Sequence, residues 1–210
     1  MMKIPSRQPS AHGLFIVVFL VSVAGLVHGF AAHAATQGNS ASGQKAATRK
    51  TSISRPAVVL ERDVTRLPEK VQAMRDAILA AAISGDIEGL RIPLEWNELK
   101  PEIDGAQDAD PVKIWRDASS DGQGREILAI LHSVLDAGYT VLNAGKSNEL
   151  YVWPAYAELA LDTLSPADEV QLYRLIPAAQ VKIMREKGQW SWYRLAIGRD
   201  GTWHSFKKSD

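Results

Sequence analysis

The chain contains no cysteine among its 210 residues. This absence excludes disulfide bonds, cysteine nucleophiles and thiolate metal sites. Histidine is scarce as well, with five in the chain, and neither His132 nor His204 stands in the H-E-x-x-H spacing of a zinc enzyme. We therefore expect no metal and no other cofactor, and a stability that comes from an ordinary hydrophobic core.

The amino terminus lacks an apolar run of the roughly 20 residues that a membrane-spanning helix needs. It has instead fourteen uncharged residues, Leu14 to Val27, which follow Lys3 and Arg7 and precede Ala32-His33-Ala34. Basic, apolar and small residues in this order are typical of a secretory signal peptide. We predict that residues 1–34 are a signal peptide cleaved after Ala34 and that the mature protein is periplasmic or secreted. An uncleaved amino-terminal anchor is the alternative.

The stretch LNAGKSNELYVWP contains Gly145-Lys146-Ser147, which resembles the end of a phosphate-binding loop. A Walker loop, G-x-x-x-x-G-K-[ST], would also need glycine at position 140, where the chain has Thr140. The residues that follow predict a strand, not the helix whose amino terminus would face the phosphates. We interpret this motif as a turn and expect neither a nucleotide nor a nucleic acid as a partner.

Residues 35–62 are rich in Ala, Ser, Thr, Gly and Gln and carry five basic residues against one acid, a net charge of 5 − 1 = +4. Residues 63–210 hold 17 basic and 23 acidic residues, a net charge of 17 − 23 = −6. A segment with so little apolar periodicity cannot offset the entropy lost on ordering. We predict a disordered basic linker, which is either a solvated spacer or a tether to anionic lipid or cell-wall polymer.

Residues 63–210 are predicted to form a single domain that begins with helices. Apolar residues three to four apart predict one helix from Thr65 to Gly85 and a second from Arg125 to Ala137, and Asp104 to Asp110 is predicted to be an acidic loop. Ser165 and Asp168, with Pro166 between them, resemble a helix-capping box. Asp121 and its serine neighbours, which mimic the start of a calcium-binding loop, are interpreted as a helix cap, because position 128 lacks the bidentate Glu that calcium requires.

Strand patterns come later in the chain. Tyr139–Leu142 and Leu150–Trp153 predict short strands, and Trp190–Ile197 followed by Gly198–Gly201 and Thr202–Phe206 predicts a hairpin. The fold class expected from this order is α+β, with amphipathic helices in the first half followed by a small antiparallel sheet that ends in the carboxyl-terminal hairpin.

Three segments, YVWPAYAEL, LYRLIP and WYRLAIGRDGTWHSF, resemble a family of small exported bacterial proteins of unassigned function. The resemblance spans roughly residues 63–210; it agrees with export and implies no chemistry. The order of helices and then a final hairpin also resembles the cone-shaped domains similar to nuclear transport factor two. That second resemblance implies a pocket between the sheet and the helices.

Aromatic residues after position 150 are the main candidates for ligand binding. Tyr151 and Trp153 alternate, as do Trp190 and Trp192, so each pair is expected on one face of a sheet. Such rings either pack in the core or form an exposed row that stacks on sugars or clamps a peptide. The complete set of predicted site residues is Tyr151, Trp153, Trp190, Trp192, Arg194, Trp203 and His204.

Two polar pairs are weaker candidates for catalysis. Glu95, Glu98 and Glu102 surround Trp96, and two of these carboxylates, with Glu95 and Glu98 the pair to inspect, could act together in glycoside hydrolysis, or they could be an exposed helical turn. His132 and Asp136 could be a base and its orienting acid, or a surface ion pair.

The function that we expect from the sequence is a non-catalytic exported module. Its partner would be a cell-wall polymer, an anionic lipid surface or an envelope protein. The alternative is a cone-like enzyme or small-ligand carrier of unknown reaction, in which His204, Arg194, Glu95 and Glu98 are the polar groups to inspect.

Overall fold

The computed structural model describes residues 58–105 and 109–209. The predicted signal peptide, residues 35–57 of the predicted linker and residues 106–108 of the predicted acidic loop lie outside the described residues. The helices are α1 (Glu69–Ser84), α2 (Arg91–Glu95), α3 (Pro111–Ala118), α4 (Arg125–Asp136), α5 (Pro166–Leu175) and α6 (Ala178–Lys187). The strands are β1 (Glu102–Ile103), β2 (Thr140–Leu142), β3 (Leu150–Trp153), β4 (Tyr193–Gly198) and β5 (Trp203–Lys208). Short 3₁₀ turns cover Val64–Arg66, Ile87–Leu90, Ala155–Glu158 and Leu161–Thr163.

The five strands form one sheet in the order β1-β5-β4-β3-β2. The prediction of an α+β fold is therefore confirmed, including the hairpin of β4 and β5. One pairing differs from the expected antiparallel sheet, because β1 runs parallel to β5, with Glu102 opposite Ser205 and Ile103 opposite Phe206. A parallel pairing needs a long connection, and about a hundred residues separate these two strands in the chain.

Helices α1 and α4 cover one face of the sheet. Their apolar stripes are buried as the periodicity predicts, with Val71, Met74 and Ile78 on α1 and Leu131 and Val134 on α4. They pack in one core cluster with the inward-facing residues of the sheet. The start of α1 differs from the prediction: residues from Val64 make a 3₁₀ turn, and the α-helix begins only after Pro68.

Helices α5 and α6 build a second, smaller apolar cluster. The predicted helix cap at Ser165 is confirmed, because its side chain accepts a hydrogen bond from the backbone N–H of Asp168, and Pro166 occupies the first turn. The Asp168 carboxylate accepts the Ser165 hydroxyl at 2.6 Å, whereas a capping box would have it accept the Ser165 backbone N–H. The residues of this cluster are Tyr156, Leu161, Leu172, Ile176, Val181, Met184 and Trp190.

The last residues of the predicted linker belong to the folded part of the chain. Glu61 and Tyr139 exchange two backbone hydrogen bonds of 2.8 Å each. Arg62 then forms an ion pair with Asp168 at 2.9 Å and donates to the Tyr156 hydroxyl. The boundary predicted at residue 62 is therefore too late, because these two residues find partners on distant elements that no local pattern reveals. Within residues 58–105 and 109–209, no helix is long and apolar enough to cross a membrane.

Candidate functional site

A cleft of about 900 Å³ lies against the hairpin of β4 and β5. Side chains on β4 alternate: Leu195 and Ile197 enter the core, whereas Arg194, Ala196 and Gly198 face the cleft. The loop between β2 and β3 and the first turn of α1 complete its walls. The remaining lining residues are Lys70, Glu102, Asn143, Lys146, Ser147, Asn148, Glu149, Leu150, Arg199, Asp200, His204 and Ser205.

A β-bulge delivers His204 to this cleft. Ala196 pairs with Ser205 and Ile197 pairs with Trp203, so His204 is the extra residue that has no partner across the hairpin. A Cβ atom at Gly198 would lie 2.6 Å from His204 Nε2 and 2.7 Å from Asp200 Oδ1. Only glycine therefore lets both polar groups approach the strand at this point.

A buried carboxylate ties the β2–β3 loop to the hairpin turn. Glu149 accepts hydrogen bonds from the Tyr151 hydroxyl at 2.6 Å and from the backbone N–H of Gly145 at 2.5 Å. Arg199 Nη1 reaches both carboxylate oxygens, at 2.9 and 3.1 Å. The hydrogen bond from Tyr151 is the main reason why the pKa of Glu149 is lowered, and burial raises the pKa of Tyr151, so the hydroxyl stays protonated as a donor.

Most charged groups in the cleft already have partners. Arg194 binds Glu158 through Nε and Nη2, at 2.9 and 2.8 Å, and Glu102 forms an ion pair with Lys207 at 2.5 Å. Asp200 accepts the backbone N–H of Thr202 at 3.0 Å, and that bond is the main reason why its pKa is lowered.

Two lysines of the cleft differ from these paired groups. The ammonium groups of Lys70 and Lys146 have neither a hydrogen bond nor an ion pair within residues 58–105 and 109–209. The backbone of Lys70 is held in place by the turn residue Gly201, which packs directly against it. A Cβ atom added at Gly201 would lie only 3.0 Å from the Lys70 backbone oxygen. Asp200 forms no ion pair among the described residues, so the charges of the cleft without an opposite partner are those of Lys70, Lys146 and Asp200, and these three sum to 2 − 1 = +1.

A second cleft of about 860 Å³ adjoins the first. The two share Glu102, Asp200 and His204, so they meet along the hairpin. The second cleft is lined in addition by Trp96, Glu98, Leu99, Lys100, Pro101, Thr202 and Trp203.

The predicted aromatic row is not exposed. Tyr151, Trp153, Trp190 and Trp203 are buried, and Trp192 is half-buried with the Lys208 ammonium 5.6 Å from its ring centroid. We correct the expectation of an exposed binding face accordingly. Trp115 stacks on Trp203 with ring centroids 5.4 Å apart, and Tyr139 packs on Tyr151 and Trp153, which gives each of these rings a partner inside the core. Trp190 belongs to the second cluster and precedes β4, so strand alternation does not apply to it.

Arg194 and His204 are the two predicted site residues that line the cleft. Residues 144–148 form turns, as predicted for the Gly-Lys-Ser motif. Asp121 accepts the backbone N–H groups of Gln123, Gly124 and Arg125. The N-cap residue of α4 is nevertheless Gly124, so Asp121 stabilises the turn that leads into the helix and is not the predicted helix cap.

The two polar pairs considered for catalysis are not assembled as pairs. Glu95 lines a separate cleft beside Arg91 and Asp110, whereas Glu98 lines the second cleft described above. His132 and Asp136 are exposed and make no hydrogen bond or ion pair with each other among the described residues.

Sequence reasoning did not identify Lys70, Lys146 or Glu149 as site residues, and it considered Trp96 only as the neighbour of Glu95 and Glu98. Lys146 belongs to the motif that was interpreted only as a turn, and Glu149 was treated as part of a strand. The nearest signal in the sequence is the loop between two predicted strands, because ligand-contacting residues are often placed on loops. Nothing local indicates that α1 brings Lys70 to the same place.

Comparison of the chain with family models, with curated proteins and with solved structures finds no match.

Proposed function

We propose that the protein is an exported, non-catalytic module that binds an anionic polymer of the cell wall in the cleft beside the hairpin. One observation carries this proposal: among the described residues the side chains of Lys70 and Lys146 lack partners, whereas two of the three acidic groups of the cleft, Glu102 and Glu149, are held in ion pairs. A ligand with carboxylate or phosphate groups would supply the missing counter-charges. Export itself remains the prediction made from residues 1–34.

The cleft is a better candidate for ligand contact than the space between the sheet and the helices. A small-ligand carrier of cone-like fold would use that interior space. Trp115 lies there in contact with both Trp203 and Phe206, whose ring centroids are 5.4 and 5.8 Å from its own. The interior is thus occupied by the aromatic core, whereas the cleft is lined with polar groups open to an incoming chain.

Charge reversal at the two lysines tests the proposal. The variant Lys70→Glu/Lys146→Glu should sediment with purified cell-wall sacculi about tenfold less well than the wild-type protein at low salt. Each exposed ionic contact contributes about 0.2–1 kcal/mol, reversal adds repulsion, and a total near 1.4 kcal/mol corresponds to about a factor of ten. Added salt should weaken the wild-type interaction, because exposed charges are screened.

The matched control is Lys182→Glu/Lys187→Glu on α6, which changes the net charge equally but away from the cleft. If both double variants lose the same amount of binding, only net charge matters and the cleft is not the site. Binding to anionic vesicles in place of sacculi would also reject the cell-wall polymer as ligand. Fractionation of cells is the separate test of export: an uncleaved chain in the cell interior would contradict it.

A further inference from the structure

Of the six tryptophans in the chain, Trp96 is the exposed one, with 55% of its surface accessible. Leu99 beside it is 80% exposed. A single exposed apolar residue is ordinary on a protein surface. Trp96 is distinguished by its position in the fold. Trp96 lines the second cleft, which continues into the lysine-containing cleft through His204 and Asp200.

The segment that presents Trp96 is fixed to the hairpin by its neighbour. Asn97 Nδ2 donates to the backbone oxygen of Trp203 at 3.1 Å, and Asn97 Oδ1 accepts the backbone N–H of Trp203 at 3.0 Å. This reciprocal pair holds the chain at Trp96 against the start of β5. An indole on a fixed backbone loses less conformational entropy on binding than one on a free loop.

The groups around the indole combine an aromatic face with polar acceptors and donors. Glu98, Asp200, Thr202 and His204 line the same cleft. A pyranose ring has one face of C–H groups and a rim of hydroxyls, so it matches an aromatic platform with carboxylates and hydroxyls at its edge. A purely apolar ligand would leave these polar groups without partners.

We infer that Trp96 is a sugar-stacking residue, and that the polymer bound in the cleft is a glycan strand with acidic substituents. This inference rests on the proposed function and names the class of ligand that the cleft binds. One sugar ring stacks on Trp96, the strand passes His204 and Asp200, and an acidic group further along it reaches Lys70 and Lys146.

Two soluble probes separate the sugar contact from the charge contact. The first is the neutral tetramer of β-1,4-linked N-acetylglucosamine, and the second is a muropeptide, whose disaccharide carries an acidic stem peptide. Calorimetric titration at millimolar sugar should show Trp96→Ala binding both probes at least about tenfold more weakly than wild type, and Trp96→Phe within about threefold. Lys70→Glu/Lys146→Glu should weaken the muropeptide alone.

The control for Trp96→Ala is Ile92→Ala, another exposed large apolar residue, which lies on α2 outside the second cleft. It should bind both probes like wild type, and circular dichroism should show all variants folded. Equal affinity of Trp96→Ala and wild type for the neutral tetramer would overturn the inference. So would a Trp96-dependent affinity for the free stem peptide without sugar, since the aromatic contact would then be with peptide.

The two proposals fail in distinguishable ways. If the wild-type protein sediments with sacculi in a lysine-dependent manner but binds neither sugar probe, the sugar-stacking inference is wrong and the proposed function stands. If the protein also fails to sediment with sacculi, both are wrong.

Discussion

Replacing Glu149 by Gln should destabilise the protein by about 2–3 kcal/mol at pH 7. The Glu149 side chain is 4% exposed and accepts hydrogen bonds from Tyr151, Gly145 and Arg199. Hydrogen bonds to a charged group contribute about 1.5–3 kcal/mol each. Gln keeps one acceptor oxygen but turns an NH₂ group towards a donor. The Arg199 side chain is 64% exposed, so its ion pair adds only a few tenths to about 1 kcal/mol.

The pH dependence of this loss is the sharper test. The folded-state pKa of Glu149 is lowered, chiefly by the Tyr151 hydroxyl. Its carboxylate therefore stabilises the fold above the unfolded pKa of about 4.3, and this contribution disappears as the pH falls through the lower folded pKa. A protonated Glu149 resembles Gln, so the difference between wild type and variant should be smaller at pH 3 than at pH 7.

Urea unfolding followed by circular dichroism at pH 7 and pH 3 measures both quantities. Other carboxylates with lowered pKa values, such as Asp121 and Asp168, destabilise wild type and variant alike in acid and cancel in the difference. Glu186→Gln is the control, because its carboxylate is 63% exposed and lies 3.8 Å from Lys182, so it should cost less than about 0.5 kcal/mol. A Glu149→Gln effect that is equally small, or one that does not change with pH, would contradict the assignment of Glu149 as the clamp between loop and hairpin.

Two further substitutions test the core. Gly124→Ala should destabilise the protein by roughly 2–4 kcal/mol, because φ is +82° and the new Cβ would lie 2.3 Å from Ile87 Cδ1. The control Gly122→Ala, at φ +63° with no atom within 4 Å, should cost only about 1–2 kcal/mol. Equal urea midpoints for the two variants would refute the clash with Ile87. Trp203→Ala should cost about 3–5 kcal/mol, since the buried indole stacks on Trp115, and a midpoint close to that of wild type would show that this stack does not hold the core.

The elements predicted well are those whose signals are local. The stripe of α1 and the cap at Ser165 depend on residues within one or two helical turns, so spacing alone identifies them. Helix α3 was missed although its signals are also local: Asp110 accepts the N–H of Val112, and Pro111 stands in the first turn. The predicted acidic loop ends at Asp110, the residue that caps this helix, so the error was to assign no element to the residues after it.

What could not be predicted depends on contacts between distant elements. Strand β1 has two residues, too few for an alternating pattern, and pairs only because β5 offers a free edge. Alternation correctly placed Tyr151 and Trp153 on one face of a strand, but it does not say whether that face meets helices or solvent. The exposure of Trp96 is decided in the same way by what packs beside it, so the sequence does not show which aromatic side chains reach the surface.

The bulge in β5 explains how one short strand serves both the core and the cleft. Trp203 and Phe206 are three residues apart, and regular alternation would place them on opposite faces. Because His204 is an unpaired extra residue, both rings enter the same core cluster, and the extra side chain is left exposed in the cleft. The aromatic packing on one side of the sheet and the polar lining on the other thus share one cause. A change that removed the bulge would turn either Trp203 or Phe206 out of the core and alter the cleft in the same step.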